Sequence, residues 1–211
     1  MSLRIFALSD THGLLDFKLP KADLILHAGD ICPDFAPRNL LGSWRQQDWL
    51  NGAWARWVNG STLKATLGNH DFVVKSECPK QIKVDELIDF QGLKIWFSPW
   101  SPEFCGWAWM WPDADLKRYY DRIPAGVDII VSHSPPKGYG DWLPDPYTGV
   151  VEHLGSQELL LAINRVKPKV VVCGHIHGAH GHYRHQDTDI YNVSLLNEAY
   201  ERVNEPTEIT L

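Results

Sequence analysis

Seven short apolar runs, rich in Val, Ile and Leu, recur along the chain and limit the folds that it can adopt. They span residues 3–8, 24–26, 63–67, 93–97, 127–131, 170–173 and 190–193. Runs of this length and composition are typical of buried β-strands. The sequence therefore predicts a protein whose centre is made of several short strands.

Helix candidates lie between these runs. Residues 40–58 place five apolar side chains at helical spacing: Leu50, Ala53, Trp54, Trp57 and Val58. Residues 157–166 show the same pattern, and Pro168 closes that segment. Because strands alternate with helices, the sequence predicts an α/β fold built in layers.

Residues 98–112 fit neither type of element. The segment SPWSPEFCGWAWMWP contains three prolines together with Trp100, Trp107, Trp109 and Trp111. It predicts a structured loop, in which the tryptophans either pack on one another or stack on the base of a ligand.

Nothing in the chain divides it into separate units. The 211 residues contain no internal repeat, low-complexity tract or linker, so we expect a single domain over residues 1–211. With 44% hydrophobic and 22% charged residues, the composition is that of a globular protein. The net charge of −6 argues against a duplex nucleic acid partner, since duplex binding requires a basic surface.

The expected location follows from the apolar runs and the cysteines. No run approaches the roughly 18 apolar residues of a membrane span, and the first residues lack the pattern of a signal peptide. The four cysteines form no Cys-x-x-Cys pair, which favours reduced thiols. We therefore expect a cytoplasmic protein with no membrane partner, while the sequence does not indicate an oligomeric state.

Asp, His and Asn residues follow five of the seven apolar runs at the point where each run ends. The five segments are Ser9-Asp10-Thr11-His12-Gly13, His27-Ala28-Gly29-Asp30, Gly68-Asn69-His70-Asp71, Ser132-His133 and Gly174-His175-Ile176-His177. One such segment alone is most often a turn. In an open α/β sheet, however, ligands bind beyond the carboxyl ends of the strands, so five segments in this position predict a binding site.

The residue types in these segments indicate metal chemistry. Carboxylate, amide and imidazole groups without thiolates suit Mn²⁺, Fe or Zn²⁺ better than Ca²⁺ or a structural zinc site. Asp10 and His12 lie two residues apart, as do His175 and His177, so in extended chain each pair faces one side and can bind one ion. The two carboxylate oxygens of Asp30 can bridge two ions.

The ordered motifs D-x-H, G-D, G-N-H-D, H and G-H-x-H, from Asp10 to His177, resemble those of the calcineurin-like metallophosphoesterase superfamily. The segments SPW, FCGWAW and HSPPKGYGD within residues 98–141 look closest to the small metallophosphoesterase-domain-containing proteins, compact members with phosphodiesterase activity. This resemblance implies a four-layer α/β/β/α sandwich that binds two divalent metal ions. Mn²⁺ is the expected metal, and Fe or Zn²⁺ are the alternatives.

The resemblance also implies a role for each matching residue. One metal ion would be held by Asp10, His12, Asp30 and His177, and the other by Asp30, Asn69, His133 and His175. His70 matches the residue taken as proton donor or phosphate ligand. Asp71 has two open interpretations: a catalytic carboxylate that orients the His70 imidazole, or a residue that caps a turn.

One motif differs from the protein phosphatases of the superfamily. Those proteins carry G-D-x-V-D-R-G, whose arginine helps to hold phosphate, whereas no arginine follows Asp30 here until Arg38. The expected activity is hydrolysis of a small nucleotide-like phosphodiester, through attack by a hydroxide that bridges the two metal ions. A nuclease of the same superfamily and a non-catalytic or weakly catalytic nucleotide-binding regulator remain as alternatives.

Overall fold

The structure is a computed structural model that describes residues 3–35, 39–144 and 148–211. The strands in these ranges are β1 (Ile5–Leu8), β2 (Leu24–His27), β3 (Leu63–Ala65), β4 (Glu86–Phe90), β5 (Leu93–Ser98), β6 (Ser101–Pro102), β7 (Met110–Trp111), β8 (Ile129–Ser132), β9 (Trp142–Pro144), β10 (Val151–His153), β11 (Val170–Cys173), β12 (Gly181–His185), β13 (Thr188–Asn192) and β14 (Thr207–Ile209). The helices are α1 (Leu40–Trp49), α2 (Ala55–Trp57), α3 (Asp113–Tyr120) and α4 (Gln157–Val166), with a π-helical segment Leu50–Trp54 joining α1 to α2.

Two sheets form the centre of the molecule. The first has the strand order β14-β1-β2-β3, in which β1, β2 and β3 are parallel and β14 is antiparallel. The second has the order β12-β13-β11-β8-β5-β4, in which the four inner strands are parallel and both edge strands are antiparallel. All seven predicted apolar runs contribute a strand to these two sheets.

The inner strands are buried on both faces, as their continuous apolar runs predict. In β8, Ile129 and Val131 pack in the cluster between the two sheets, while Ile130 packs in a separate cluster against the helices α3 and α4. In β11, Val172 packs in the cluster between the two sheets, and Val171 packs in the cluster against the helices. Since successive side chains of a strand point to opposite faces, each sheet requires cover on both sides.

Helices supply the two outer layers. Leu50 and Trp54 of the π-helical segment are fully buried against the first sheet. Leu116 of α3 and Ile163 of α4 are buried against the second sheet. The predicted four-layer α/β/β/α sandwich is therefore confirmed, with one apolar cluster between each pair of layers.

The predicted helices agree with the structure in different degrees. The helix expected over 157–166 is found with those bounds; the Ser156 hydroxyl accepts a hydrogen bond from the Leu159 N–H at its start, and Lys167 ends it in a left-handed conformation. The helix expected over 40–58 is interrupted by the π-helical segment, which changes the angular spacing of its side chains. Among the described residues, none of the helices has the length and apolar composition of a membrane span.

Candidate metal centre

Asp10 follows β1 and lies at the bottom of the site with no exposed surface. Its carboxylate accepts hydrogen bonds from the Ser194 hydroxyl at 2.7 Å and from the backbone N–H of His175 at 3.1 Å, and Oδ1 lies 3.5 Å from Nε2 of His177. Burial alone would raise the pKa of Asp10, but the hydrogen bond and positive charge of His177 outweigh it and hold that pKa below its ordinary value. Asp10 is therefore an anion at neutral pH.

Asp30, which follows β2, faces two groups of histidines. Its Oδ2 atom lies 3.7 Å from Nε2 of His12 on one side and 3.4 Å from Nε2 of His133 on the other. Its Oδ1 atom accepts a hydrogen bond from the backbone N–H of His70 at 2.8 Å. The carboxylate thus occupies the position between two candidate ion sites that a bridging ligand requires.

Backbone carbonyl groups orient two of the candidate ligands. Nδ1 of His133 donates to the Ala28 carbonyl at 2.9 Å, and Nδ1 of His177 donates to the Asn197 carbonyl at 3.0 Å. Each ring therefore presents Nε2 to the site, which is the usual arrangement of a metal-binding histidine. Nε2 of His133 lies 2.8 Å from Oδ1 of Asn69, so the Asn69 amide belongs to the same cluster of side chains as His133.

The two oriented rings carry protons when no cation is bound. Burial disfavours protonation of both, but the charge of Asp30 raises the pKa of His133 to about 9, and the Asp10 hydrogen bond and charge raise the pKa of His177 to about 9. A bound metal ion would replace the proton on Nε2 of each ring and would be attracted by the same two carboxylates, those of Asp10 and Asp30.

His12 has no such partner within the described part of the chain. Its side chain is 5% exposed, and neither ring nitrogen has a hydrogen-bond partner. Burial lowers the pKa of His12 to about 4, so the ring is neutral at neutral pH and retains a free lone pair. Because buried polar atoms are nearly always hydrogen-bonded, this imidazole fits a metal ligand better than a structural residue.

The candidate ligands converge in three overlapping groups. The groups are Asp10, His12 and His177; His12, Asp30 and His70; and Asp30, His133 and His175, with the ligand atoms of each group within 4.8 Å of one another. The structure thus brings together all seven residues that the sequence predicts as ligands, with Asn69 in contact with His133. Asp10 and His12 lie in one group as expected, but His175 and His177 lie in different groups, so the expectation that this pair binds one ion is wrong. The donor set of carboxylate, amide and imidazole fits two divalent cations that share Asp30.

Four of these residues adopt backbone conformations that are rare for side chains larger than glycine. The φ angles of Asp10, His12, Asp30 and His175 are 54°, 42°, 53° and 69°. Non-glycine residues in this left-handed region cost stability, and they cluster at functional sites where the surrounding fold holds them in place. The strain at these four positions supports a functional role for the ends of β1, β2 and β11.

Gly68 allows the close approach of two chain segments at the site. A Cβ atom at this position would overlap the Asp30 carboxylate and would lie 2.6 Å from Cε1 of His133. Glycine is therefore required for packing here, where the turn that carries Asn69 meets the turn that carries Asp30.

His70 is paired with a carboxylate that the sequence did not single out. Its Nδ1 atom donates to Asp34, at 3.0 Å from Oδ2 and 3.1 Å from Oδ1. Burial opposes protonation of His70, but the Asp34 hydrogen bond and the charges of Asp30 and Asp34 outweigh it and raise the pKa of His70. The signal that could have found Asp34 is its position four residues after Asp30, on the same turn.

The interpretation of Asp71 as the residue that orients His70 is wrong. The Asp71 carboxylate accepts backbone hydrogen bonds from Gly68 at 2.8 Å, Ile31 at 3.0 Å and Cys32 at 2.8 Å. The alternative interpretation, a residue that caps a turn, is confirmed. Since Asp71 ties the 68–71 turn to the segment that follows Asp30, it is a structural residue of the site.

A cavity of about 520 Å³ opens above these residues. Its walls contain Asp30, His70, His175 and His177 together with Phe104, Trp107, Leu143, Leu154 and Tyr200, and three glutamates, Glu103, Glu152 and Glu198. Four residues of the metal centre thus line the same cavity as a set of apolar and aromatic side chains and three glutamates.

Comparison with known proteins agrees with this geometry. The family model described as calcineurin-like phosphoesterase matches residues 3–179, which contain all seven candidate ligands. The chain belongs to the calcineurin-like phosphoesterase family. Divalent metal ions are implied by this family, in agreement with the candidate clusters of this phosphoesterase.

Two kinds of relative resemble this calcineurin-like phosphoesterase. The human protein named metallophosphoesterase domain-containing protein 1 is 29% identical over 237 residues, covering 99% of this chain and 71% of the relative, and the mouse protein of that name matches equally. Among solved structures, TT1561 of Thermus thermophilus has a TM-score of 0.54 at 15% identity, over 91% of this chain and 89% of the other. The phosphopantetheinyl hydrolase of Mycobacterium tuberculosis has a TM-score of 0.53 at 13% identity, over 93% and 90%.

The tryptophans of residues 98–112 have different roles in this phosphoesterase. Trp100 stacks on Tyr119 with ring centroids 3.8 Å apart, and Nε1 of Trp109 donates to the Asp71 carbonyl at 2.9 Å. Both therefore hold the loop in place. Trp107 lies on the His70 ring, with centroids 4.1 Å apart, and lines the cavity.

Proposed function

We propose that this calcineurin-like phosphoesterase is a dinuclear metal-dependent phosphodiesterase that acts on a small, nucleotide-like diester. The observation that carries the proposal is the position of Asp30, whose Oδ2 faces His12 at 3.7 Å and His133 at 3.4 Å. One carboxylate between two histidine groups is the arrangement that two neighbouring cations need.

The charges of the site favour an anionic substrate. Two divalent ions, with Mn²⁺ expected and Fe or Zn²⁺ as alternatives, would stabilise charge on phosphate oxygens and lower the pKa of a water molecule. Asp10 and Asp30 contribute two negative charges, so the loaded site would carry about +2 before that water ionises. The acidic protein thus offers phosphate a local positive site.

His70 is the proposed proton donor to the departing oxygen. Asp34 engages its Nδ1 atom, which leaves Nε2 as the atom that can carry and release a proton. The Asp34 hydrogen bond and the charges of Asp30 and Asp34 raise the pKa of His70, which favours the protonated ring that a general acid requires.

The walls of the cavity support a diester in preference to a monoester. Within the described ranges, its lining contains no lysine or arginine and includes Glu103, Glu152 and Glu198. A monoester carries nearly two negative charges at neutral pH, whereas a diester carries one, and three carboxylates disfavour the additional charge. The same carboxylates disfavour a long polyanionic strand, which argues against the nuclease alternative.

The test compares bis-p-nitrophenyl phosphate with p-nitrophenyl phosphate on protein loaded with Mn²⁺, Fe²⁺ or Zn²⁺. We expect more than one equivalent of metal per chain and a higher kcat/KM for the diester. A strong preference for the monoester would overturn the diester assignment. Nucleotide binding without turnover in any of the three metal forms would instead favour the regulator, and a protein that retains only one metal would exclude a dinuclear site.

A further inference from the structure

Tyr200 adopts a backbone conformation that its side chain disfavours. Its φ angle is 61°, in the left-handed region that bulky residues rarely enter. The turn around it is held firmly: the Tyr200 N–H donates to the Asn197 carbonyl at 2.9 Å, and Oδ1 of Asn197 accepts from the N–H groups of Ala199 and Glu201, each at 2.9 Å. The fold therefore forces an aromatic residue into a strained position.

In this conformation the Tyr200 ring lies against three histidines of the site. Its centroid lies 4.8 Å from that of His12, 5.5 Å from that of His177 and 6.4 Å from that of His70. The Asn197 carbonyl that accepts from Tyr200 also accepts from Nδ1 of His177, so the ring and the ligand share one anchor. Tyr200 is thus part of the site although it lies 23 residues beyond the last predicted ligand, His177.

Half of the Tyr200 surface remains exposed, and it forms part of the wall of the 520 Å³ cavity. Trp107 lines the same cavity, and its ring centroid is 4.1 Å from that of His70. A phosphate bound beside the candidate metal ligands would occupy only part of this cavity. The organic group of a diester would then extend along Tyr200, Trp107 and the aliphatic side chains Leu143 and Leu154.

We propose that Tyr200 is a specificity-determining residue whose ring face contacts a planar organic group of the diester, such as a nucleobase; this inference rests on the proposed phosphodiesterase function. Observed strain at a site is retained where the contact it creates is useful. A base stacked on an aromatic side chain gains enough affinity to account for roughly a 10-fold or larger preference over a diester without a planar group.

The main test replaces Tyr200 with asparagine, because asparagine tolerates the left-handed conformation and leaves the turn intact. Two substrates with the same leaving group are compared: thymidine 5′-p-nitrophenyl phosphate and methyl p-nitrophenyl phosphate. For Tyr200→Asn we expect kcat/KM to fall roughly 10-fold or more on the thymidine diester and less than about 3-fold on the methyl diester. Metal content should equal that of the wild type.

Two further variants separate the ring from its backbone and its hydroxyl. Gln91 has a φ of 52° in an exposed turn at the opposite end of the second sheet, so Gln91→Asn is the matched control and should leave both kinetic constants unchanged. Tyr200→Phe keeps the ring and should retain the preference for the thymidine diester. Equal losses on both diesters, loss of metal, or a Phe variant as impaired as the Asn variant would each overturn the proposal.

Binding measurements distinguish this proposal from failure of the catalytic one. If wild-type protein hydrolyses neither diester, the phosphodiesterase function is wrong, and titration of AMP and inorganic phosphate still tests Tyr200. We expect Tyr200→Asn to weaken AMP roughly 10-fold while inorganic phosphate binds as in the wild type. Equal affinity of both proteins for AMP would overturn the role of Tyr200.

Discussion

The His70 ring donates a hydrogen bond from Nδ1 to the Asp34 carboxylate, with 3.0 Å between Nδ1 and Oδ2. The two residues lie 36 positions apart and reach each other because the turns after β2 and β3 meet at the same edge of the first sheet. Asp34 is partly exposed and follows the proposed bridging residue Asp30 on one turn. This pairing fixes the tautomer and orientation of the only proposed proton donor.

We predict that His70→Ala loses activity according to the leaving group. A nitrophenolate leaves unaided, so the loss on a nitrophenyl diester should be small, whereas a nucleotide diester with an alkoxide leaving group should lose about 10²-fold. Asp34→Asn should show the same pattern with a smaller loss, and Asp48→Asn, on the exposed side of α1, serves as control. Steady-state rates on the two substrates, together with metal analysis, test this prediction. Equal losses of activity on both substrates would exclude the proton-donor role.

A second prediction concerns Asp30. Asp30→Asn replaces an anionic oxygen with an amide that bridges cations poorly, so both metal ions should bind more weakly and activity should fall at least ~10²-fold. The fold should survive, because Asp30 lies in a turn beyond the end of β2 and outside the apolar clusters. Metal analysis and thermal unfolding measure the two effects. A variant that keeps most of its metal-dependent activity would show that Asp30 is not the bridge.

A third prediction uses Gly68. The added Cβ of Gly68→Ala would overlap the Asp30 carboxylate and the His133 ring, and overpacking of this kind costs about 1–3 kcal/mol. We expect reduced metal content and an activity loss of roughly 10-fold or more. Gly52→Ala is the matched control, because its Cβ would meet only the Arg56 guanidinium at 3.7 Å. Comparable activity of the two variants would contradict the close packing at Gly68.

A fourth prediction concerns the pH dependence of stability through His27. This residue is fully buried, accepts from the Gly29 N–H at 3.2 Å and lies 3.1 Å from the Thr11 hydroxyl. Burial lowers the pKa of His27 to about 3. Between that value and the ordinary 6.5, the unfolded chain binds a proton that the folded chain excludes, so stability falls as the pH drops below 6.5.

His27→Asn keeps an acceptor for the Gly29 N–H and removes this titration. The variant should lose stability at pH 8, and its deficit relative to the wild type should shrink by about 2 kcal/mol at pH 5. Urea unfolding with a chelator present measures the difference without a contribution from bound metal. His182→Asn, at an exposed histidine, is the control. The same deficit at both pH values would show that burial does not shift His27.

The strands and the ligand positions could be predicted because both follow from local patterns. An apolar run such as Val170–Cys173 favours a strand with both faces covered, and its carboxyl end places Gly174, His175 and His177 at the edge of the sheet. The helix Gln157–Val166 was equally predictable, since its apolar face, its Ser156 cap and Pro168 lie within one short segment. For α1 the same approach missed the π-helical segment, whose altered spacing depends on packing of Leu50 and Trp54.

Local patterns were enough to specify which residue types stand at the strand ends, and therefore the layered fold and the candidate ligands. Which of these residues act on one another depends on how distant turns pack together. Asp71 is adjacent to His70 in sequence but turns away to accept from backbone N–H groups of Ile31 and Cys32, while Asp34 takes its place. Tyr200 reaches His12 from 188 residues away. Its position four residues after Asp30 could have singled out Asp34, but which side chains contact each other is decided where separate turns are packed against each other by the two sheets.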